Sequence, residues 1–243
     1  MFDGDHPDLG RSVGRAQALA RGLGHDRVGS EHLLVALATG DGRDSDGSHG
    51  TVAAALGRHG ATAAAVWEAL LAAAPGGAGM AADRDTLAVL GVDVDRLLRF
   101  AGARSLDRPP RREPLLPLGA AAARRRCAQL SPPLGLDAQA AYEASLRLAL
   151  ARRERAHRPE HLALALGVLD PGVAWVLDRA GVDRHALVTD LAASFPPPRR
   201  NPVLRSERRL GRQSRCRDLI RRYERTTGRT ATAGDALAVL VAG

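Results

Sequence analysis

The sequence contains no lysine, and all 35 of its basic residues are arginine. A P-loop needs a lysine at the nucleotide phosphates, so a Walker-type ATPase is excluded within these 243 residues. Schiff-base chemistry at a lysine is excluded for the same reason. The missing residue type therefore removes two large classes of enzyme from consideration.

Aromatic residues are also scarce, at 3% of the chain, so a hydrophobic core has to be built from Ala, Leu and Val. Ala and Leu are strong helix formers, whereas β-branched and aromatic residues favour strands. We therefore predict an all-α fold. Cys127 and Cys216 are isolated and have no CxxC spacing, which indicates a reducing compartment without a disulfide framework.

The sequence shows neither a signal peptide nor a membrane-spanning segment. The first residues, MFDGDHPDLGR, have neither the basic nor the apolar region of a signal peptide. No apolar run approaches the roughly 18 residues of a membrane span. These features predict a cytoplasmic protein that does not contact a membrane.

The positive charge is concentrated near the C-terminus. Residues 1–198 contain 23 arginines and 23 acidic residues, whereas residues 199–229 contain 12 arginines and three acidic residues. The net charge of +8 is therefore a property of the tail, and the rest of the chain has the balanced charge of an ordinary globular surface.

A degenerate internal repeat organises the chain. The motif Ser30-Glu31-His32-Leu33-Leu34 recurs as Pro159-Glu160-His161-Leu162-Ala163, at an offset of 129. Further along, the offset becomes 121, so that Gly60 matches Gly181. The change falls in the loop sequence GDGRDSDGSHG (40–50), where an insertion costs little.

Each copy of the repeat predicts four helices. The first begins at an aspartate, the second at Ser30 or Pro159, the third ends at a glycine, and the fourth covers about 62–73 or 182–194. Further helices are predicted around 83–103 and 118–130, in the tail as far as Gly228, and from 233 to 241. We predict a pseudo-twofold double repeat of four-helix units with a basic helical C-terminal tail. The predicted regions are repeat 1 (1–74), an inter-repeat segment with an Arg/Pro linker (75–135), repeat 2 (136–195) and the tail (196–243).

The paired motifs resemble the Clp N-terminal (Clp R) domain family. In the first copy the signature is Gly24-His25 followed by GSEHLLVAL (29–37). In the second copy it is RPEHLALAL (158–166). The stretch LAVLGVDVDRLLR (87–99) is similar to the inter-repeat segment of stand-alone, actinobacterial-type members, which lack the AAA+ ATPase modules. The first copy matches well, whereas the second is degenerate.

The resemblance implies a non-catalytic protein-binding module without cofactor or metal. Its partners would be substrates, adaptors or chaperone components of ATP-dependent proteolysis, and no small-molecule substrate is expected. Some relatives bind phosphoarginine through the motif glutamates, which correspond to Glu31 and Glu160, with Ser30 beside the first. Pro159 lacks the hydroxyl and the N–H of the usual residue, which removes a donor from the second pocket. The alternative for both glutamates is an ordinary charge at a helix N-terminus. His32, His161, Leu33 and Leu162 are assigned as structural motif residues.

Two short motifs suggest enzymes but lack the context that their chemistry needs. His157-Arg158-Pro159-Glu160-His161 matches H-x-x-E-H, yet Pro159 disfavours helix at Arg158, so the histidines would not share one helical face. The segment GRSVG (10–14) matches G-x-S-x-G, yet no strand precedes Ser12. A peptidase is therefore the least favoured alternative.

The arginine-rich tail leaves three interpretations open. The favoured interpretation is an arginine-coated helix that either docks on the body through the apolar stripe of Cys216, Leu219, Ile220 and Tyr223 or remains loose. An acidic protein partner comes second. A nucleic-acid-associated regulator acting through 199–229 comes third, because one aromatic residue offers little base stacking. The tail residues considered are Arg208, Arg209, Arg212, Arg215, Arg217, Arg221 and Arg222.

Overall fold

The computed structural model describes residues 2–40, 51–74, 76–96, 130–195 and 214–232. The ten helices named here are α1 (Pro7–Gly22), α2 (Ser30–Thr39), α3 (Thr51–Arg58), α4 (Ala63–Ala73), α5 (Ala78–Ala88), α6 (Leu136–Ala151), α7 (Pro159–Leu169), α8 (Pro171–Arg179), α9 (Arg184–Ala193) and α10 (Ser214–Thr227). The prediction of an all-α protein is confirmed. The predicted Arg/Pro linker and the helices near 118–130 and 233–241 lie outside the described residues.

Most helix boundaries follow the signals in the sequence. The aspartates and Ser30 expected as N-caps lie just inside their helices, and the N-caps of α1, α2 and α6 are His6, Gly29 and Gly135. Pro7, Pro159 and Pro171 each occupy the first turn of a helix, where the missing N–H is not needed. Thr62 and Asp183 cap α4 and α9 through their side-chain oxygens. The predicted helix-ending glycines, Gly60, Gly181 and Gly228, all have positive φ, with values of 83°, 70° and 73°.

The helix starts repeat at the offsets found in the sequence. α1 and α6 begin 129 residues apart, as do α2 and α7, while α4 and α9 begin 121 residues apart. This agreement concerns the positions of the helices along the chain. The pseudo-twofold relation between the two copies and the region boundaries at 74, 135 and 195 stay predictions.

The two copies share one hydrophobic core. Leucines of α2 and α7 lie in the same buried cluster, which also contains residues of α4, α6, α8 and α9. Short backbone pairings cross between the copies: β1 (Gly4–Asp5) pairs in parallel with β2 (Ala156–His157), and Val28 forms a bridge with Leu134. The segment before α1 is thereby paired with the segment before α7, and the segment before α2 with the segment before α6.

Two helices outside the repeat cover this core. α5 packs against α8, and α10 packs against α6. In α10, Leu219 and Tyr223 are buried, and Ile220 packs against the core at its edge. These three residues of the predicted stripe therefore face the body, as expected if the helix docks rather than remains loose.

Among the described helices, membrane-spanning potential is restricted to one bent pair. Among the described residues, no single helix has the length and apolar composition needed to cross a membrane. α7 and α8 pass that test only when taken together, and they meet at a bend of 87°.

Candidate functional site: an acidic cluster at converging helix starts

Four carboxyl groups gather where several helices begin, and we call them the acidic cluster: Glu31, Asp83, Asp137 and Asp170. Glu31 and Asp137 lie in the first turns of α2 and α6, and Asp170 is the N-cap of α8. Asp83 lies within α5. Helix N-termini favour negative charge, which explains why Glu31 and Asp170 are tolerated here although both are buried, while Asp83 and Asp137 are half-buried.

Asp170 is the most deeply buried member of the acidic cluster, with no exposed surface. Its Oδ1 accepts hydrogen bonds from Ser30 Oγ at 2.9 Å and from the Val173 N–H at 2.8 Å. Its Oδ2 accepts one from the Tyr223 hydroxyl at 3.0 Å. Burial and the nearby charge of Asp137 raise the pKa of Asp170 to about 7, although these three donors act in the opposite direction.

Arg229 brings a guanidinium to the other side of the acidic cluster. Its Nε lies 3.0 Å from both oxygens of Asp83, and its Nη2 lies 2.6 Å from Asp83 Oδ2. Its Nη1 donates to Asp137 Oδ2. Burial alone would lower the pKa of Arg229, but these two carboxylates raise it above its usual value. The arginine therefore stays charged and joins α5 to α6.

The contact with Arg229 does not fully offset the effect of burial and of the neighbouring carboxylates on Asp137. Burial raises its pKa, and the charges of Glu31 and Asp83 add to that effect, while Arg229 lowers it. The four acids are thus close enough to influence one another, and Arg229 offsets only part of their charge.

Glu31 is covered by the start of α5. Only 5% of Glu31 is exposed, and the Ala78 N–H donates a hydrogen bond to its carboxylate. Burial would raise the pKa of Glu31, but His32 and the N–H groups of Glu31 and Ala78 lower it overall. An external guanidinium could reach this carboxylate only if α5 moved.

The other predicted binding residues occupy different environments. Ser30 is buried, and its hydroxyl is used by Asp170. Glu160 is half-buried in the first turn of α7. A role for Glu31, Ser30 and Glu160 in phosphoarginine binding therefore stays a prediction, and Glu160 is the more accessible of the two glutamates.

The motif histidines cap their own helices. The Gly29 N–H donates to His32 Nδ1 at 3.0 Å, and the Arg158 N–H donates to His161 Nδ1 at 3.1 Å. Both contacts are the reciprocal half of a capping box. Leu33 and Leu162 follow them into the core with 1% and 0% exposure. These contacts and this burial are consistent with the structural role predicted for the four residues, which stays a prediction.

Ser145, His157 and Asp5 form a hydrogen-bonded chain that resembles a Ser-His-Asp triad. It was not identified from the sequence. His157 Nδ1 lies 2.9 Å from Asp5 Oδ1, and His157 Nε2 lies 2.7 Å from Ser145 Oγ. A nucleophile must reach its substrate, whereas His157 and Ser145 are both 0% exposed. The Tyr142 hydroxyl donates to Asp5 at 2.6 Å. We interpret the network as structural, because it fixes the N-terminal strand to the second half of the chain.

The structure places the residues of the two enzyme-like motifs where they support the fold rather than form an active site. His157 lies in β2 and His161 in α7, so they do not share a helical face. Ser12 is buried within α1 and donates to the Asp8 carbonyl at 3.0 Å. Across the described ranges, no group of three or more His, Cys, Asp or Glu side chains is arranged to hold a metal ion.

The predicted tail arginines fall into two groups. Arg208, Arg209 and Arg212 lie outside the described residues, and Arg215 belongs to α10. Arg217 and Arg221 are exposed, while Arg222 Nε lies 2.7 Å from Asp218 Oδ2, one helical turn away. A role of the tail in nucleic-acid binding stays a prediction.

Arg229 and its partners were missed by the sequence analysis. Arg229 directly follows the helix-ending Gly228, and its contact with Asp83 spans 146 residues, so no local pattern marks it. A partial signal existed for Tyr223, because the apolar stripe predicted that its ring faces the body.

Comparisons with known proteins show a similarity to a solved structure. No family model matches the chain, and no curated protein matches it. The chain is similar to a crystal structure of the N-terminal domain of the caseinolytic protease associated chaperone ClpD from Arabidopsis thaliana. The identity is 18%, the TM-score is 0.44, and the alignment covers 79% of this chain and 95% of that one. We draw no functional conclusion from a similarity at this level.

Proposed function

We propose that the chain is a non-catalytic protein-binding module related to the N-terminal domains of Clp chaperones. Its partners would be substrates, adaptors or chaperone components of ATP-dependent proteolysis. The observation that carries this proposal is that the acidic cluster holds a peptide segment of the chain itself, through Tyr223 and Arg229. A surface built to receive an aromatic residue and a guanidinium is suited to binding protein segments.

The organisation of the polar side chains also supports a binding role. His32 and His161 cap helices, and Ser12 and Ser145 are buried in hydrogen bonds to carbonyl groups of their own helices. The chemically versatile side chains of these motifs therefore maintain the fold. In the family that the motifs resemble, the same framework presents surfaces to other proteins.

Glu160 is the residue at which we place the phosphoarginine interaction. It lies at a helix N-terminus and is half-buried, whereas Glu31 is buried, although the Oε2 atom of Glu160 is itself covered. A carboxylate there can pair with the guanidinium of a modified arginine, while helix N–H groups can receive the phosphate.

Binding of the full chain to a permanently unfolded, fluorescently labelled protein tests the proposal. We expect the chain to bind this probe and to prefer its arginine-phosphorylated form. Because a charge-assisted hydrogen bond contributes about 1.5–3 kcal/mol, Glu160→Gln should weaken binding of the phosphorylated form roughly tenfold or more. Fluorescence anisotropy measures both affinities.

Asp178→Asn, which removes an exposed carboxylate on α8, is the matched control and should bind like the unmodified chain. If the chain binds neither form of the probe, the proposed function is wrong. If Glu160→Gln binds the phosphorylated form as tightly as the unmodified chain does, the role of Glu160 is wrong.

A further inference from the structure

Residues 214–232, which we call the anchor segment, attach to the body through a few side chains. Tyr223 is 1% exposed and donates its hydroxyl hydrogen to Asp170. Six residues later, Arg229 reaches Asp83 and Asp137. The apolar contact between this segment and the body consists of Leu219 and the ring of Tyr223 against α6, with Ile220 and Ala231 packed at the edge of the core.

The outer face of the anchor segment has little contact with the body. Arg217, Arg221 and Arg225 are spaced one helical turn apart along α10, and all three are exposed. A cleft lined by residues of both helices, among them Ala140, Glu143 and Leu219, remains along the seam with α6. The segment therefore packs its apolar side on α6, while its polar contacts reach Asp170 at the start of α8, Asp83 in α5 and Val168 in α7.

The surface beneath the anchor segment requires a cation. Without Arg229, Asp83 and Asp137 would face each other in a region that already contains Glu31 and Asp170, and burial makes such repulsion costly. Three nitrogens of Arg229 are engaged by the two carboxylates. A lysine ammonium is a single point charge and cannot reproduce this planar fork, so the geometry selects arginine.

We propose that the surface formed by the acidic cluster and α6 binds an arginine-bearing segment of a partner protein, and that residues 214–232 occupy this surface in cis until such a segment displaces them. The matching partner segment carries an aromatic residue with a hydroxyl group and an arginine six positions further on. This inference rests on the proposed function, because it names the surface and the partner chemistry for that function.

A cis ligand lowers the apparent affinity of a competitor without changing the surface. The tethered segment is present at a high effective concentration, so a partner binds only to the fraction of molecules in which the surface is free. A change that weakens the cis contact should therefore increase binding in trans. A purely structural role for the anchor segment would not produce that increase.

The test uses the full chain and a labelled synthetic peptide of residues 214–232. We expect the peptide to bind the Arg229→Gln chain at least about tenfold more tightly than the unmodified chain, because the cis competitor is weakened. The same peptide carrying Arg229→Lys should bind the Arg229→Gln chain at least about tenfold more weakly than the unmodified peptide. Adding Asp83→Asn to the Arg229→Gln chain should also weaken binding.

Arg225→Gln is the matched control, because it removes an exposed arginine from the same anchor segment. It should bind the peptide like the unmodified chain. Circular dichroism verifies that each variant retains its helices. If Arg229→Gln fails to fold, hydrogen exchange on the unmodified chain replaces it: excess unlabelled peptide should accelerate exchange in α10 and leave α7 protected.

Several outcomes overturn the inference. Equal binding of the unmodified and Arg229→Lys peptides would do so, as would equal affinities of the Arg229→Gln and unmodified chains. A stable dimer of the unmodified chain that exchanges its anchor segments would show that the occupant is a second copy. If Arg229→Gln still binds the unfolded-protein probe but not the peptide, the inference fails and the proposed function stands. If neither the unmodified chain nor Arg229→Gln binds either ligand, both fail.

Discussion

Asp170 is the residue at which the two halves of the chain and the C-terminal helix meet. Its carboxylate accepts hydrogen bonds from Ser30 of α2, from Tyr223 of α10 and from the Val173 N–H in the first turn of α8. A neutral side chain of the same shape could keep most of these contacts. The burial of a carboxyl group therefore adds a pH dependence that packing alone would not require.

The raised pKa of Asp170 predicts that stability falls as pH rises from about 4 to about 7. In this window the unfolded chain has lost the proton, whereas the folded chain retains it, so the folded state binds more protons. Asp170→Asn removes this contribution and retains an N-cap acceptor. We expect its unfolding free energy to depend less on pH, by up to about 1.4 kcal/mol per pH unit.

Urea unfolding at a series of pH values measures this slope. Asp178→Asn serves as the comparison, since it removes an exposed carboxyl from the same helix and should leave the slope unchanged. Parallel pH profiles of Asp170→Asn and the unmodified chain would show that Asp170 does not titrate in this window.

At the scale of the elements, the close approach of α5 and α8 closes the interior over the acidic cluster. A Cβ atom at Gly172 would lie 2.6 Å from the Gly79 nitrogen and 3.0 Å from Asp170 Oδ1. Two backbones can meet at this distance only because Gly172 has no side chain. The same approach places the start of α5 over Glu31.

Gly172→Ala is therefore expected to destabilise the protein by about 1–3 kcal/mol, because the added methyl group overpacks the contact with α5. The sign is informative, since alanine within a helix is normally favoured over glycine by about 1 kcal/mol. Gly14→Ala supplies that reference, because Gly14 is exposed in α1 with open space around it, and it should stabilise the protein. Thermal denaturation of both variants measures the difference. A stabilised Gly172→Ala would contradict the packing of α5 on α8.

The helices themselves could be predicted because their signals are local. Gly60 and Gly181 end helices through a backbone conformation that glycine adopts easily, and Tyr223 lies on an apolar stripe with helical spacing. The coverage of Glu31 could not be predicted in this way. It depends on which helix packs over the carboxylate, and no local pattern encodes that choice.

At the scale of the whole molecule, polar contacts join distant parts of the chain around one core. Asp190 of α9 accepts hydrogen bonds from Arg58 and His59 at 2.8 and 3.1 Å, and β1 pairs with β2. The residues in these contacts are more than 130 positions apart in the chain. The sequence motifs could therefore predict the helices of each copy but not the contacts between the copies. The predicted repeat boundaries describe sequence similarity, while the core and these contacts unite the two copies.

A shared core predicts one cooperative unfolding transition, and the two tryptophans allow this to be measured. Trp67 lies in α4 of the first copy, Trp175 lies in α8 of the second, and both pack against the common core. In Trp175→Phe, fluorescence reports on the first copy alone, and in Trp67→Phe it reports on the second. Within each variant, we expect the urea midpoint from fluorescence to coincide with that from circular dichroism. Separate midpoints would mean that the copies unfold as independent domains.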